Sequence, residues 1–118
     1  MPSRFLFPIT EEFPNLTISN RNANTLDLEA IVLAFDENGR SIGYFIYKDE
    51  REDDEIVRIW FYADRSVTIR GTYNNWEFDL NLRSGWNIAY EHRTDYTARF
   101  ISQRPAGANL RWHFESWD

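Results

Sequence analysis

Apolar and polar residues alternate one for one along most of this chain, and no other feature constrains its fold as strongly. Successive side chains of a β-strand point to opposite faces, so a period of two marks a ribbon with one buried and one solvated side. "WEFDLNL" puts Trp76, Phe78, Leu80 and Leu82 on one side and Glu77, Asp79 and Asn81 on the other. "VTIRGTY" sets Val67, Ile69 and Tyr73 against Thr68, Arg70 and Thr72. Asn74-Asn75 lies between these runs. Asn accepts the positive φ of a two-residue hairpin. "RSG" supplies a second turn, after which Trp86, Ile88 and Tyr90 alternate with Asn87, Ala89 and Glu91. The three runs together read as a meander.

The same grammar holds elsewhere. "LDLEAIVLAF" is a long strand whose second half is apolar on both faces, the pattern of a central strand. Asn38-Gly39 follows as a strong hairpin signal, and "SIGYFIYK" is the returning strand. "EIVRIWFYA" places Val57, Ile59 and Phe61 on one face and Trp60 and Tyr62 on the other. "DYTARFIS" and "ANLRWHFESW" close the chain around a loop marked by Pro105 and Gly107. "NLTIS" reads as an edge strand, with Pro8 and Pro14 keeping its approach irregular. No segment shows a helical period. The reading is one all-β domain spanning residues 1–118. It predicts an antiparallel two-sheet β-sandwich, Ig-like or transthyretin-like, of about eight or nine strands.

Composition decides which partners such a domain can have. Five Trp, six Tyr and nine Phe in 118 residues exclude a disordered chain. A net charge of −6 argues against nucleic acid and against adsorption to anionic lipid. The absence of cysteine excludes disulfides, thiol catalysis and thiolate metal sites. No stretch approaches the roughly 18 apolar residues of a membrane helix, so no direct membrane insertion is expected. The stretch "MPSRFLFPITEEF" has one Arg and a short apolar patch broken by Pro8, and does not read as a signal peptide.

Catalytic signatures are sparse. His92 closes a strand beside a turn, and His113 alternates with Trp112 and Phe114 on the last strand. Both read as surface or boundary residues, and no serine sits in a Gly-x-Ser-x-Gly elbow. Glu77 and Asp79 share a strand face, as alternation alone would arrange. "DENGRS" lacks the spaced acidic pattern of a calcium loop. The run from Asp49 to Glu55 reads as a solvated loop, with loose calcium collection left open. Asn15 to Thr17 matches a glycosylation acceptor, of consequence only in a eukaryotic secretory setting. No catalytic residue, metal site or cofactor is therefore assigned.

Aromatic surfaces carry more weight, because a flat ring can stack on the apolar face of a sugar. Trp60 and Tyr62 run opposite in parity to their aliphatic neighbours, and Trp117 is out of phase with Trp112 and Phe114. These three, Trp60, Tyr62 and Trp117, are the ligand-binding candidates. Trp76, Trp86 and Trp112 are in phase with aliphatic neighbours and are expected in the core.

"SVTIRGTYNNWEFDLNLRSGWNIAY" followed by "LRWHFE" resembles a loose group of small bacterial exported or lipoprotein-type β-sandwich domains of unknown function. The likeness rests on Val67, Thr68, Ile69, Gly71 and Thr72, then Phe78, Leu80, Leu82, Gly85, Trp86 and Asn87, then Leu110, Trp112 and Phe114. It implies a periplasmic or cell-surface setting, often behind a lipid-anchoring cysteine that is not found here. The expectation is a non-catalytic extracytoplasmic domain with a structural or protein-interaction role, its partner an envelope protein. The alternative is a carbohydrate-binding module. A sugar binder should show two or three coplanar rings on one exposed face. An interaction domain should show a contiguous apolar patch or an open edge strand.

Overall fold

The computed structural model describes residues 7–13, 15–29 and 31–117; Pro14 and the sequence ahead of Phe7 lie outside them. A two-residue strand β1 (Phe7–Pro8) leads into a single helical turn α1 (Ile9–Glu12) and the short strand β2 (Thr17–Ile18). The longer strands follow: β3 (Asn24–Glu29), β4 (Ile31–Phe35), β5 (Ser41–Glu50), β6 (Asp54–Ala63), β7 (Val67–Tyr73) and β8 (Trp76–Leu82). Then come β9 (Gly85–Thr94), β10 (Ala98–Ile101) and β11 (Arg111–Ser116).

The all-β reading holds, but the two-sheet antiparallel sandwich does not. The described strands hydrogen-bond into one 11-stranded mixed sheet that curls into a half-barrel. Its main path runs β1-β3-β6-β9-β10-β8-β7-β2, with β5 joined to β6 and carrying β4 and β11. The N-terminal segment supplies the second layer that a second sheet would have given. Ile9, Phe13, Leu16 and Ile18 are buried in the concave side. Phe13 meets Phe61 of β6 at 6.3 Å and Phe78 of β8 at 5.4 Å between ring centroids. Those strands are separated in the sheet by β9 and β10, so one ring spans the mouth of the curl.

The Asn74-Asn75 hairpin joins β7 to β8 as expected, with Asn74 at φ 55°. The turn ahead of β5 is closed by the Asp36 carboxylate, which accepts the N–H groups of Asn38 and Arg40. "NLTIS" is an edge, its Thr17–Ile18 strand ending the sheet beside β7.

The meander fails at "RSG". Gly85, at φ 104°, turns the chain out of the β7–β8 ladder, a conformation only glycine adopts freely. The Asn87 amide fixes the corner: its oxygen accepts the Arg83 N–H, and its nitrogen donates to the Arg83 and Gly85 carbonyls. β9 therefore pairs along its whole length with β6 instead of β8. β10 fills the gap, antiparallel to β9 and parallel to β8.

Three tryptophans expected in the core lie outside it. Trp76, Trp86 and Trp112 are 51 %, 47 % and 51 % exposed. On β9 the buried residue is Ala89, of the opposite parity to Trp86. The inside of a curled sheet offers each residue less room than the outside. Ala63, Ala89 and Ala98 fill it there, and the bulky rings of β9 go to the convex face.

Candidate interaction surface

β5 and β6 pair only beside their turn, from Lys48 opposite Val57 to Glu50 opposite Glu55. Beyond that point the hairpin forks. β6 takes β3 as its neighbour, and β5 takes β4 on one edge and β11 on the other. The consecutive strands β3 and β4 thus serve different arms of the fork. β4, expected to be central, is an edge: among the described residues it pairs with β5 alone. β11 likewise pairs with β5 alone. The result is a three-stranded wing with two open edges, joined to the half-barrel through β5.

The wing exposes apolar side chains on both faces, while Ile46 and Lys48 are buried and Tyr44 packs against the core. Register puts Val32, Phe45 and Phe114 in one row, with Tyr47 and Trp112 opposed beside it. Phe45 and Phe114 lie 5.2 Å apart, and Tyr47 and Trp112 5.1 Å. Leu33 stands opposite Tyr44 on the other face. Trp117 packs against Tyr44 at 5.0 Å and donates its indole N–H to the Ser41 hydroxyl at 2.8 Å. Val32, Leu33, Phe35, Ile42, Phe45, Trp112, Phe114 and Trp117 are all exposed.

The first of these faces continues onto the convex side of the half-barrel. There Trp86 of β9 meets Tyr62 at 5.2 Å and Trp60 at 6.5 Å. Arg58 joins barrel to wing: its guanidinium lies 4.4 Å from the Tyr47 ring centroid, 5.6 Å from Trp112 and 5.7 Å from Trp60. Its Nε is buried without a hydrogen-bond partner, so the ring faces carry much of its stabilisation. The candidates Trp60 and Tyr62 are thus brought together, and Trp117 sits apart on Tyr44. Sequence reasoning missed Trp86, Trp112, Tyr47 and Arg58. Arg58 shares the parity of Trp60 and Tyr62, and that spacing was the available signal. The rings are not coplanar: Trp60 and Tyr62 meet Trp86 at 86° and 71°.

Ion pairs tie the base of the wing. The Lys48 ammonium, 5 % exposed, lies 2.8 Å from both Glu55 of β6 and Glu115 of β11. Burial pulls the lysine pKa down, but hydrogen bonds and charge from Glu115 and Glu55 prevail and raise it. The same hydrogen bond and charge hold the Glu115 carboxyl below the ordinary glutamate range. Asp64 is also held low, because two hydrogen bonds from Asn24 outweigh its burial.

His92 and the acidic run are engaged in contacts between strands and loops. His92 Nε2 lies 2.6 Å from an Asp54 carboxylate oxygen, linking β9 to β6. Asp49 accepts the Asn109 N–H and pairs with Arg51, and both contacts keep its carboxyl low. The acidic run is therefore internally paired, Asp49 and Asp54 with Arg51 and Glu55 with Lys48. No group of three or more His, Asp or Glu side chains among the described residues is arranged to hold a metal ion. The chain matches no family model, no curated protein and no solved structure.

Proposed function

We propose that this domain is a non-catalytic interaction module that receives a protein partner on its wing. The single observation that carries the reading is the β4–β5–β11 sheet, which exposes apolar side chains on both faces and is open at both edges among the described residues. Soluble proteins normally blunt such edges with charge, proline or a covering element. Here Val32, Leu33, Ala34 and Phe35 form an edge without a charged residue. An extracytoplasmic setting belongs to the same proposal and rests on the resemblance to exported bacterial domains. The tilted rings of Trp60, Tyr62 and Trp86 favour a contoured protein surface over flat sugar stacking.

Photo-crosslinking groups placed at Leu33 and at Trp112 test the reading, with Tyr96 as an exposed control away from the wing. A single recurrent protein adduct at both wing positions, competed by the unmodified domain and lost with Phe35→Lys, is the expected result. Equal labelling at all three positions would overturn it. Retardation of the domain by a soluble polysaccharide, abolished by Trp60→Ala, would replace it with a glycan-binding function.

A further inference from the structure

A groove of about 480 Å³ lies across β7, β8 and β10 and the loop that follows. Arg70, Arg99 and Arg104 line it, with Asp79 as the acidic side chain among its lining residues and Asn81 and Ser102 beside them. Three arginines thus line one groove in a chain whose net charge is −6, Arg70 paired with Asp79 and Arg99 beside Glu77. The strand register produces this arrangement: Arg70 stands opposite Asp79, and Arg99 sits two residues before Ile101, which also faces Asp79.

The arginines are held in place with donors to spare. Arg70 Nη1 bonds the Asp79 carboxylate at 2.9 Å and the Leu80 carbonyl at 3.1 Å. Arg104 Nη2 donates to the Ala108 carbonyl at 3.0 Å, and Arg99 Nε lies 3.5 Å from Glu77. A guanidinium carries five N–H donors, so these contacts leave most of them for a ligand. Asp79 and Glu77 offset two of the three charges, Arg104 meets the Ala108 carbonyl, and arginine's planar fork suits phosphate and carboxylate oxygens.

We propose that this groove binds a small polyanion, a ligand carrying two or more phosphate or carboxylate groups. Its volume falls in the range of small-molecule sites, well above the size of one inorganic ion. A long polyanion fits poorly, because the acidic surface of the rest of the chain would repel it.

The test is an amide and arginine Nε NMR titration at fixed ionic strength with pyrophosphate, citrate and inorganic phosphate. Pyrophosphate and citrate should give saturable shifts confined to residues 70, 79–81 and 99–106, and inorganic phosphate should bind more weakly. Arg104→Gln should weaken pyrophosphate and citrate by about fivefold or more, the scale of one lost charge-assisted contact. Asp79→Asn should tighten both, because it removes the competing carboxylate and frees Arg70. Arg83→Gln, outside the groove, should change neither. The same spectra report whether each variant is folded. Non-saturable shifts, equal effects of Arg104→Gln and Arg83→Gln, or weakening by Asp79→Asn would overturn the site. Phosphate binding as tightly as pyrophosphate would overturn the requirement for two anionic groups.

Discussion

Gly43 shows how much the wing depends on single residues. A Cβ at this position would overlap the Glu115 carbonyl oxygen and come within 2.8 Å of the Phe114 ring. Glycine is needed here for the close approach of β11 to β5. Gly43→Ala should force the two strands apart and cost about 1–3 kcal/mol, the range for overpacking a fitted contact. Urea denaturation followed by tryptophan fluorescence measures this directly. A midpoint equal to wild type would mean that β11 does not lie against β5 as described. Arg58 makes a related point on the convex face. An arginine between Val57 and Ile59 looks like an ordinary outward residue, yet it is the group on which three rings from three strands converge.

Among the elements, β5 holds the molecule together because it belongs to both the wing and the barrel. Lys48 on β5 reaches Glu115 on β11 and Glu55 on β6, so one ammonium ties three strands. The folded state holds the Glu115 carboxyl below its usual 4.5. A carboxylate depressed in this way stabilises the fold fully above the unfolded value, and its contribution is lost as pH falls through the folded one. The raised Lys48 value works in the opposite sense: its contribution is complete below 10.5 and lost only as pH rises beyond it. Glu115→Gln should therefore be less stable than wild type at about pH 7, with the gap narrowing as pH falls below 4.5. Urea midpoints across that range check the sign. A gap that stays constant would show that the Lys48 contact does not stabilise the wing.

At the scale of the whole molecule, the half-barrel is closed by the chain's own N-terminal segment. Phe13 is 6 % exposed and bridges β6 and β8 across the curl. Phe13→Ala should cost about 3–5 kcal/mol, the range for deleting a buried ring. In a sandwich closed by two sheets, a residue ahead of the first long strand would matter far less. Equilibrium denaturation decides this, and a loss of under about 1 kcal/mol would argue that the segment is a covering and not the second layer.

The alternation of residues determined by itself that the chain is all-β, where most of its strands lie and where the hairpins at Asn74-Asn75 and Asn38-Gly39 turn, but not that "RSG" is a corner or that "LDLEAIVLAF" divides into β3 and β4. Those properties are local: a two-residue period sets a strand's two faces, and Asn74-Asn75 or Asn38-Gly39 sets a turn within a few bonds. Two things were not local. One was which face of β9 is buried, since alternation is symmetric and the bulk of Trp86 pointed to the wrong side. The other was which strands pair. The corner at Gly85 and Asn87 sends β9 to β6, and the forked β5–β6 hairpin leaves β4 at an edge. An apolar run such as "IVLAF" carries the same pattern whether it lies between two strands or beside one. Only the tertiary structure chose between them, because strand pairing and sheet curvature depend on residues far apart in the chain. The candidate surface followed the same division. Trp60, Tyr62 and Arg58 were legible from their shared parity on β6, whereas Trp86 and Trp112 joined them only through the pairing of β9 with β6 and of β11 with β5.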